Sequence, residues 1–299
     1  MDEKYRAQVS LLLSALPEVA KEECFALHGG TAINLFVRDM PRLSVDIDLT
    51  YLHIEDRNTS LQNINEALDR IKVRIEKILP NCKVTHADEI FKLLVSHKGV
   101  GIKIEVSSVS RGAFGAPQPL ELHPKVQEAF DVYCQIKVVS LGQLYGGKIC
   151  AALDRQHPRD LFDIKYLFDN GGITDEIRIG FILALLGSVR PTHEILKPRL
   201  LDQTKAFGNQ FAGMTTEAYT YEEYEEVRLR LVQTITESLQ LRDKKFILGV
   251  IDATPDWTIH DFQQFPSIQW KLMNLQKLKD NDPQKHQDNL EQLRALLNE

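Results

Sequence analysis

Five residues, Val45-Asp46-Ile47-Asp48-Leu49, constrain this chain more than any others. Apolar and acidic side chains alternate, which predicts a strand with one buried and one polar face. Asp46 and Asp48 then share a face, about 7 Å apart along the strand. Like charges held that way repel unless a cation lies between them. One or two carboxylates plus substrate phosphates are how Mg²⁺ is usually held. A bare Asp-x-Asp is more often a solvated strand face, but this one follows Gly29-Gly30-Thr31. Glycines ahead of a helix let backbone N–H groups approach a phosphate, and the helix N-terminus favours its charge. Thr31 adds a hydroxyl donor.

Bulk properties remove several function classes. With 299 residues, 43% hydrophobic and 26% charged, the chain can build a real core in two domains or one large one. It has no apolar run of the length a membrane span needs. Its N-terminus, Met-Asp-Glu-Lys-Tyr, lacks the basic-then-apolar pattern of a signal peptide. Cys24, Cys82, Cys134 and Cys150 are too scattered for a cysteine zinc site or a disulfide framework. A cytoplasmic protein is therefore expected. The histidines show no metal spacing, and neither a phosphate loop of the G-x-x-x-x-G-K type nor a G-x-S-x-G elbow occurs. A net charge of −6 argues against a whole-protein field for nucleic acid, while leaving room for a local basic channel. Two basic clusters, Lys72/Arg74/Lys77 and Lys271/Lys277/Lys279, read as solvated helix faces. Trp257 and Trp270 read as core, and Tyr219, Tyr221 and Tyr224 as a solvated helix start.

Periodicity predicts helices over 5–15, 30–37 and 60–79, the last capped by Thr59 or Ser60 and stopped by Pro80. Strands are expected at 83–85, 91–97 and 100–106, the last two joined as a hairpin around Lys98-Gly99. Residues 107–131 read as an extended loop. From Ser140 onward the pattern is almost wholly helical, with Ser140 and Gln143 as a capping box and helices to about 154 and over 159–169. Further helices are expected at 174–187, 192–206, 220–240, 242–251, 266–279 and 284–298. The change of character puts a boundary between 1–139, an α/β core, and 140–299, a helical domain completing an active-site cleft.

A third carboxylate is available. In Gly101-Ile-Lys-Ile-Glu-Val106, alternation puts Lys103 and Glu105 on the polar face. Glu105 beside Asp46 and Asp48, on neighbouring antiparallel strands, would allow two Mg²⁺ ions about 4 Å apart, an arrangement suited to in-line displacement at phosphorus. In the helical half, Lys148 follows Gly146-Gly147, and Asp163 lies on the next helix beyond a short Gln156-His157-Pro158 turn. Two readings stand side by side. The glycines admit something bulky beside Lys148, or they let helices pack tightly while Lys148 and Asp163 form a salt bridge.

Two motifs carry a family resemblance: Gly29-Gly30-Thr31-Ala32 through Arg42-x-Ser44-x-Asp46-Ile47-Asp48-Leu49, and Lys148-Ile-Cys-Ala-Ala-Leu-Asp-Arg155 followed by Arg159-Asp160-Leu-Phe-Asp163. In order and spacing they resemble the AbiEii nucleotidyltransferases of the DNA-polymerase-β-like superfamily, known chiefly as toxins of type IV toxin–antitoxin pairs. The match covers roughly residues 25–170. The resemblance implies an α+β fold: a polymerase-β-like core with a small mixed or antiparallel sheet, then a mostly helical domain. It implies Asp46 and Asp48 as metal ligands, with Lys148 on the nucleotide triphosphate and Asp163 completing the site. Asp160 is the neighbouring candidate for that last role. Gly29, Gly30, Thr31 and Ser44 would contact the nucleotide, and Arg42 would hold a phosphate or brace the carboxylates. Superfamily members often begin this motif with Gly-Ser; the Gly-Gly-Thr here is of the AbiEii kind.

The expected activity is Mg²⁺-dependent transfer of an NMP from an NTP to an acceptor hydroxyl. By resemblance the acceptor is the 3′ end of tRNA, which would make the chain a growth-inhibiting toxin with a cognate antitoxin encoded nearby. Two rivals come from other classes: nucleotidylation of a protein or an antibiotic-like small molecule, and a non-catalytic nucleotide-binding protein.

Overall fold

The structure is a computed structural model and describes residues 2–298. The chain divides into two compact units, residues 1–140 with 211–218, and residues 141–210 with 219–299. The first unit contains α1 (Glu3–Ala20), β1 (Phe25–His28), α2 (Gly29–Ala32), β2 (Asp46–Tyr51), α3 (Arg57–Ile78), β3 (Lys83–Ala87), β4 (Lys92–His97), β5 (Val100–Val106), β6 (Gln118–Glu121), α4 (Pro124–Phe130) and β7 (Gln135–Val138). A π-helix, Ile33–Val37, continues α2.

The strands form one seven-stranded sheet in the order β3-β4-β5-β2-β1-β7-β6. It is mixed and larger than expected. β2 pairs antiparallel with β1 but parallel with β5, and β1 is parallel to β7. The expectation of antiparallel neighbours at the carboxylates is thus corrected, because α3 and the β3–β4 hairpin intervene between β2 and β5. The predicted hairpin 91–97/100–106 is present as β4–β5.

Three further readings are revised. Residues 107–131 are not one loop, since β6 and α4 lie within them. α3 begins at Arg57, because Asp56 rather than Thr59 or Ser60 is the cap and accepts from the Thr59 N–H. α1 runs on through Pro17 to Ala20, past the predicted end at 15. Proline there removes one intrahelical bond. The turn persists because Leu16, Glu18 and Val19 are buried and Arg74 of α3 bonds Glu18 and Glu22. That pairing also takes Arg74 out of its presumed solvated cluster.

α1 and α3 cover one sheet face. Ile47, Leu49, Leu93, Val95, Ile102 and Ile104, which are all buried, meet them there. The segment 211–218 belongs to this unit because its Met214 carbonyl accepts from the Leu43 N–H and Thr215 Oγ1 donates to the Pro41 carbonyl. These bonds pin the chain leading into β2.

The second unit holds α5 (Leu141–Arg155), α6 (Pro158–Asp169), α7 (Asp175–Gly187), α8 (Thr192–Leu196), α9 (Thr204–Ala206), α10 (Tyr221–Ser238), α11 (Leu241–Ile251), α12 (Pro266–Asn281) and α13 (Pro283–Leu297). The predicted helix 192–206 is broken into α8 and α9. Pro198, one residue beyond the cap of α8, cannot continue it. Trp270 is 45% exposed rather than core. Tyr219 and Tyr224 are buried in an aromatic cluster with Phe162 and Phe207, correcting the solvated reading. Among the described residues, no helix is long and apolar enough to cross a membrane.

Candidate active site

In the first unit the site is built where β1 turns into α2 beside β2. His28 is paired with Asp48 in the antiparallel ladder, so the turn after β1 arrives next to that carboxylate. Gly29 has φ +73°, in the left-handed region that favours glycine. A Cβ at Gly29 would overlap the Asp48 carboxylate. Position 29 is therefore glycine for two independent reasons, backbone geometry and the space Asp48 occupies. A Cβ at Gly30 would sit 2.8 Å from Arg42 Nη2 and 2.9 Å from Ser44 Oγ.

Below the turn, three side chains brace it. Thr31 is fully buried; its hydroxyl donates to the Asp46 carbonyl and lies 3.1 Å from Ser44 Oγ. Arg42 is 2% exposed and donates from Nη1 to the Leu43 carbonyl. Asn34, which the sequence reading passed over, donates from Nδ2 to the Gly30 carbonyl at 2.9 Å. Its signal was its position, four residues after Gly30 on one helix face. Thr31, Arg42 and Ser44, expected at the nucleotide, thus lie against the polypeptide that shapes the turn.

Asp46 and Asp48 are half-buried on one face of β2, with Ile47 and Leu49 buried on the other. Asp48 is in register with Glu105, and Asp46 with Lys103, on β5. Glu105 stands beside the pair, as alternation required, but its carboxylate is 2.7 Å from Lys92 Nζ. Among the described residues, no group of three or more His, Cys, Asp and Glu side chains is arranged to hold a metal. Two hard carboxylates over a glycine turn nonetheless fit a cation such as Mg²⁺, which uses one or two protein carboxylates and takes its other ligands from water and phosphate.

The second unit holds a different kind of cluster. Lys148 of α5 is 7% exposed and donates from Nζ to Asp160 Oδ1 at 2.7 Å, with Asp163 Oδ2 at 3.0 Å. Arg155 Nε donates to Asp160 Oδ2 at 2.6 Å and its Nη2 to Oδ1 at 3.0 Å. Burial pushes the Asp160 carboxyl up, but the adjacent Lys148 and Arg155 outweigh it and hold it well below the usual range. The salt-bridge reading of Lys148 and Asp163 is therefore realised, and Asp160 joins it. The tight-packing reading of Gly146 is realised too. Added Cβ atoms at Gly146 and at Gly180 of α7 would overlap the facing helix backbone.

Sequence reasoning gave no role to Gln156, read only as part of a turn. It is 1% exposed with φ +50°, and it links several elements. Its Nε2 donates to the Arg199 carbonyl, its Oε1 accepts from the Leu201 N–H and Arg228 Nη1, and its carbonyl accepts from the Tyr224 hydroxyl. Next to it, His157 caps α6: Nδ1 accepts from the Arg159 N–H, leaving Nε2 to donate to Gln210 Oε1. That pattern belongs to the neutral ring, in line with burial pushing its pKa down.

Comparison with known proteins places these features in a family. A family profile described as the nucleotidyl transferase AbiEii toxin of a type IV toxin–antitoxin system matches residues 11–274. Among solved structures, MenT4, a nucleotidyltransferase toxin from Mycobacterium tuberculosis H37Rv, is similar with a TM-score of 0.60 and 14% identity. That match covers 91% of this chain and 93% of MenT4, and at such low identity it shows the fold. No curated protein sequence matches. A profile that runs through both the glycine–aspartate motif and the Lys148–Asp163 motif shows that the chain belongs to the AbiEii family of nucleotidyltransferases, toxins of type IV toxin–antitoxin systems.

Proposed function

We propose that this chain transfers an NMP from an NTP to the 3′ end of tRNA, with Mg²⁺ as its cation and arrested translation as the outcome. The observation that carries the reading is the Asp48 carboxylate lodged against Gly29, at a turn that only glycine can make there. Backbone able to approach a phosphate and a carboxylate able to hold a cation lie side by side.

Asp46 and Asp48 would hold Mg²⁺, and Glu105, in register with Asp48, is the proposed third oxygen donor. The chemistry a bound Mg²⁺ supplies is Lewis acidity toward phosphoryl oxygens. The acceptor oxygen bonds to the α-phosphorus while the bond to the β-phosphate oxygen breaks. Pyrophosphate leaves and the hydroxyl proton passes to solvent. Thr31 and Ser44 keep the β2 backbone, and so both aspartates, in register beneath the turn. By the family resemblance Lys148 would meet the triphosphate, and within its own unit its ammonium is directed at Asp160 and Asp163. Asp160 and Asp163 aim that ammonium, and Arg155 holds Asp160.

The test is a labelling assay with Mg²⁺, each α-labelled NTP, total tRNA and cell extract, run beside Asp48→Ala. Label on tRNA that requires Asp48 is the expected result. Asp48-dependent label on a protein or a small molecule would replace the acceptor and keep the chemistry. NTP binding with no transfer to any acceptor would favour the non-catalytic reading.

A further inference from the structure

The sheet face that carries Asp46 and Asp48 does not end at β2. Register aligns Asp46 with Lys103 of β5, Leu94 of β4 and Thr85 of β3 in one cross-strand row. A second row runs Asp48, Glu105, Lys92, Ala87. Flanking the first on its other side are Gly101, Ser96 and Lys83. Alternation sends the intervening residues Val84, Leu93, Val95, Ile102 and Ile104 to the helix-covered side, where all are buried. Lys83, Thr85, Ser96, Gly101 and Lys103 are exposed, and Leu94 is 43% exposed.

The charge on this face is distinctive. Across β3, β4 and β5 its ionisable residues are Lys83, Lys92, Lys103 and one acid, Glu105. Lys92 is paired with Glu105, so beyond the two aspartates of β2 this part of the face carries Lys83 and Lys103 in excess, in a chain whose net charge is −6. Lysine on an edge strand such as β3 is also a common guard against edge-to-edge pairing. That accounts for Lys83 but not for Lys103, which lies two strands in from β3, next to Asp46. At about 4.8 Å per strand the first row extends about 14 Å from the carboxylates. Lysines flanking an exposed apolar side chain suit phosphates and an unstacked base, the two things a single strand presents.

The geometry points to this face as the track for the single-stranded end of a polynucleotide acceptor, with its 3′-hydroxyl at Asp46 and Asp48. This rests on the transferase reading above and adds the acceptor's path. Lys83 and Lys103 meet phosphates, and Leu94 meets a base between them.

The test uses the full chain, a fluorescent single-stranded RNA oligonucleotide with a free 3′-hydroxyl, and the double variant Lys83→Gln/Leu94→Asp, whose sites lie away from the aspartates. Oligonucleotide affinity is measured against salt, and Mg²⁺–NTP binding is measured separately. The expected result is about tenfold weaker oligonucleotide binding at low salt. The slope of log K against log salt should be shallower by about 0.7, the loss of one phosphate contact. NTP binding should be unchanged, and Lys103→Gln should give a similar slope change. Unchanged RNA affinity and slope in these variants overturn the track, while Asp48-dependent transfer to RNA keeps the transferase reading alive. A protein acceptor whose labelling falls in the double variant, with RNA affinity unaffected, also overturns it.

Discussion

The two candidate clusters, one in each unit, treat charge in opposite ways. On β2, Asp46 and Asp48 are like charges on one strand face, half-buried and framed by backbone glycine. Around Lys148, two cations and two carboxylates neutralise one another, and all but Arg155 are nearly fully buried. The first arrangement gains from a cation supplied from outside the chain. The second supplies its own counter-charges, at a desolvation cost that only intact pairing offsets. Mutations should therefore separate chemistry from folding in the first cluster and join them in the second.

The largest expected effect is on transfer. Asp48→Ala should reduce it below detection, while the thermal midpoint shifts little because the carboxylate is only half-buried on its strand face. A midpoint that dropped sharply would mean that Asp48 holds the fold, and the contrast between the clusters would collapse. Next comes Asp160→Ala, which leaves Lys148 and Arg155 without their shared carboxylate. Urea unfolding should show a loss of about 3–5 kcal/mol, as for other broken buried pairs. A loss near zero would place the quartet with ordinary surface pairs.

Gly29→Ala should fall between the two kinds of behaviour. The left-handed backbone costs an L-residue about 1–2 kcal/mol, and the new methyl displaces the Asp48 carboxylate. Transfer should drop far more than stability does, which unfolding and turnover measured on one preparation would reveal. Gly171→Ala is the control, since its φ is +102° but no atom lies near its added Cβ. That variant should lose stability alone.

The smallest effect is a pH dependence. The folded-state pKa of Asp160 is depressed, so its contribution to stability is complete above the unfolded carboxyl value, near pH 4. It is lost as pH falls through the folded value. Stability should therefore decline on acidification below about pH 4, and Asp160→Asn should flatten that decline. Equal slopes in the two proteins would show that Lys148 and Arg155 do not hold this carboxylate.

Much of this contrast was legible before folding. Val45-Asp46-Ile47-Asp48-Leu49 alternates so strictly that strand, buried face and carboxylate pair all followed from a two-residue period. The long α3 and most of the second unit's helices followed from the 3.6-residue period. β1, β6 and β7 did not, because four-residue runs such as Phe25-Ala-Leu-His28 carry too little pattern. Their pairing is non-local and adds nothing to the local sequence. Prolines were similarly ambiguous: Pro198 follows the end of α8, whereas Pro17 is carried inside α1 by burial and by Arg74.

The sequence alone determined the chemistry available: paired acids after a glycine turn, and a lysine ahead of two aspartates on consecutive helices. It could do so because side-chain type and short-range periodicity are local properties. Only the tertiary structure decided how those groups are used. It made β2 and β5 parallel neighbours, turned Thr31 and Arg42 inward as braces, bound Glu105 to Lys92, and made Gln156 a buried hub. Each of those outcomes depends on which distant residue arrives at a given position, and long-range packing fixes that.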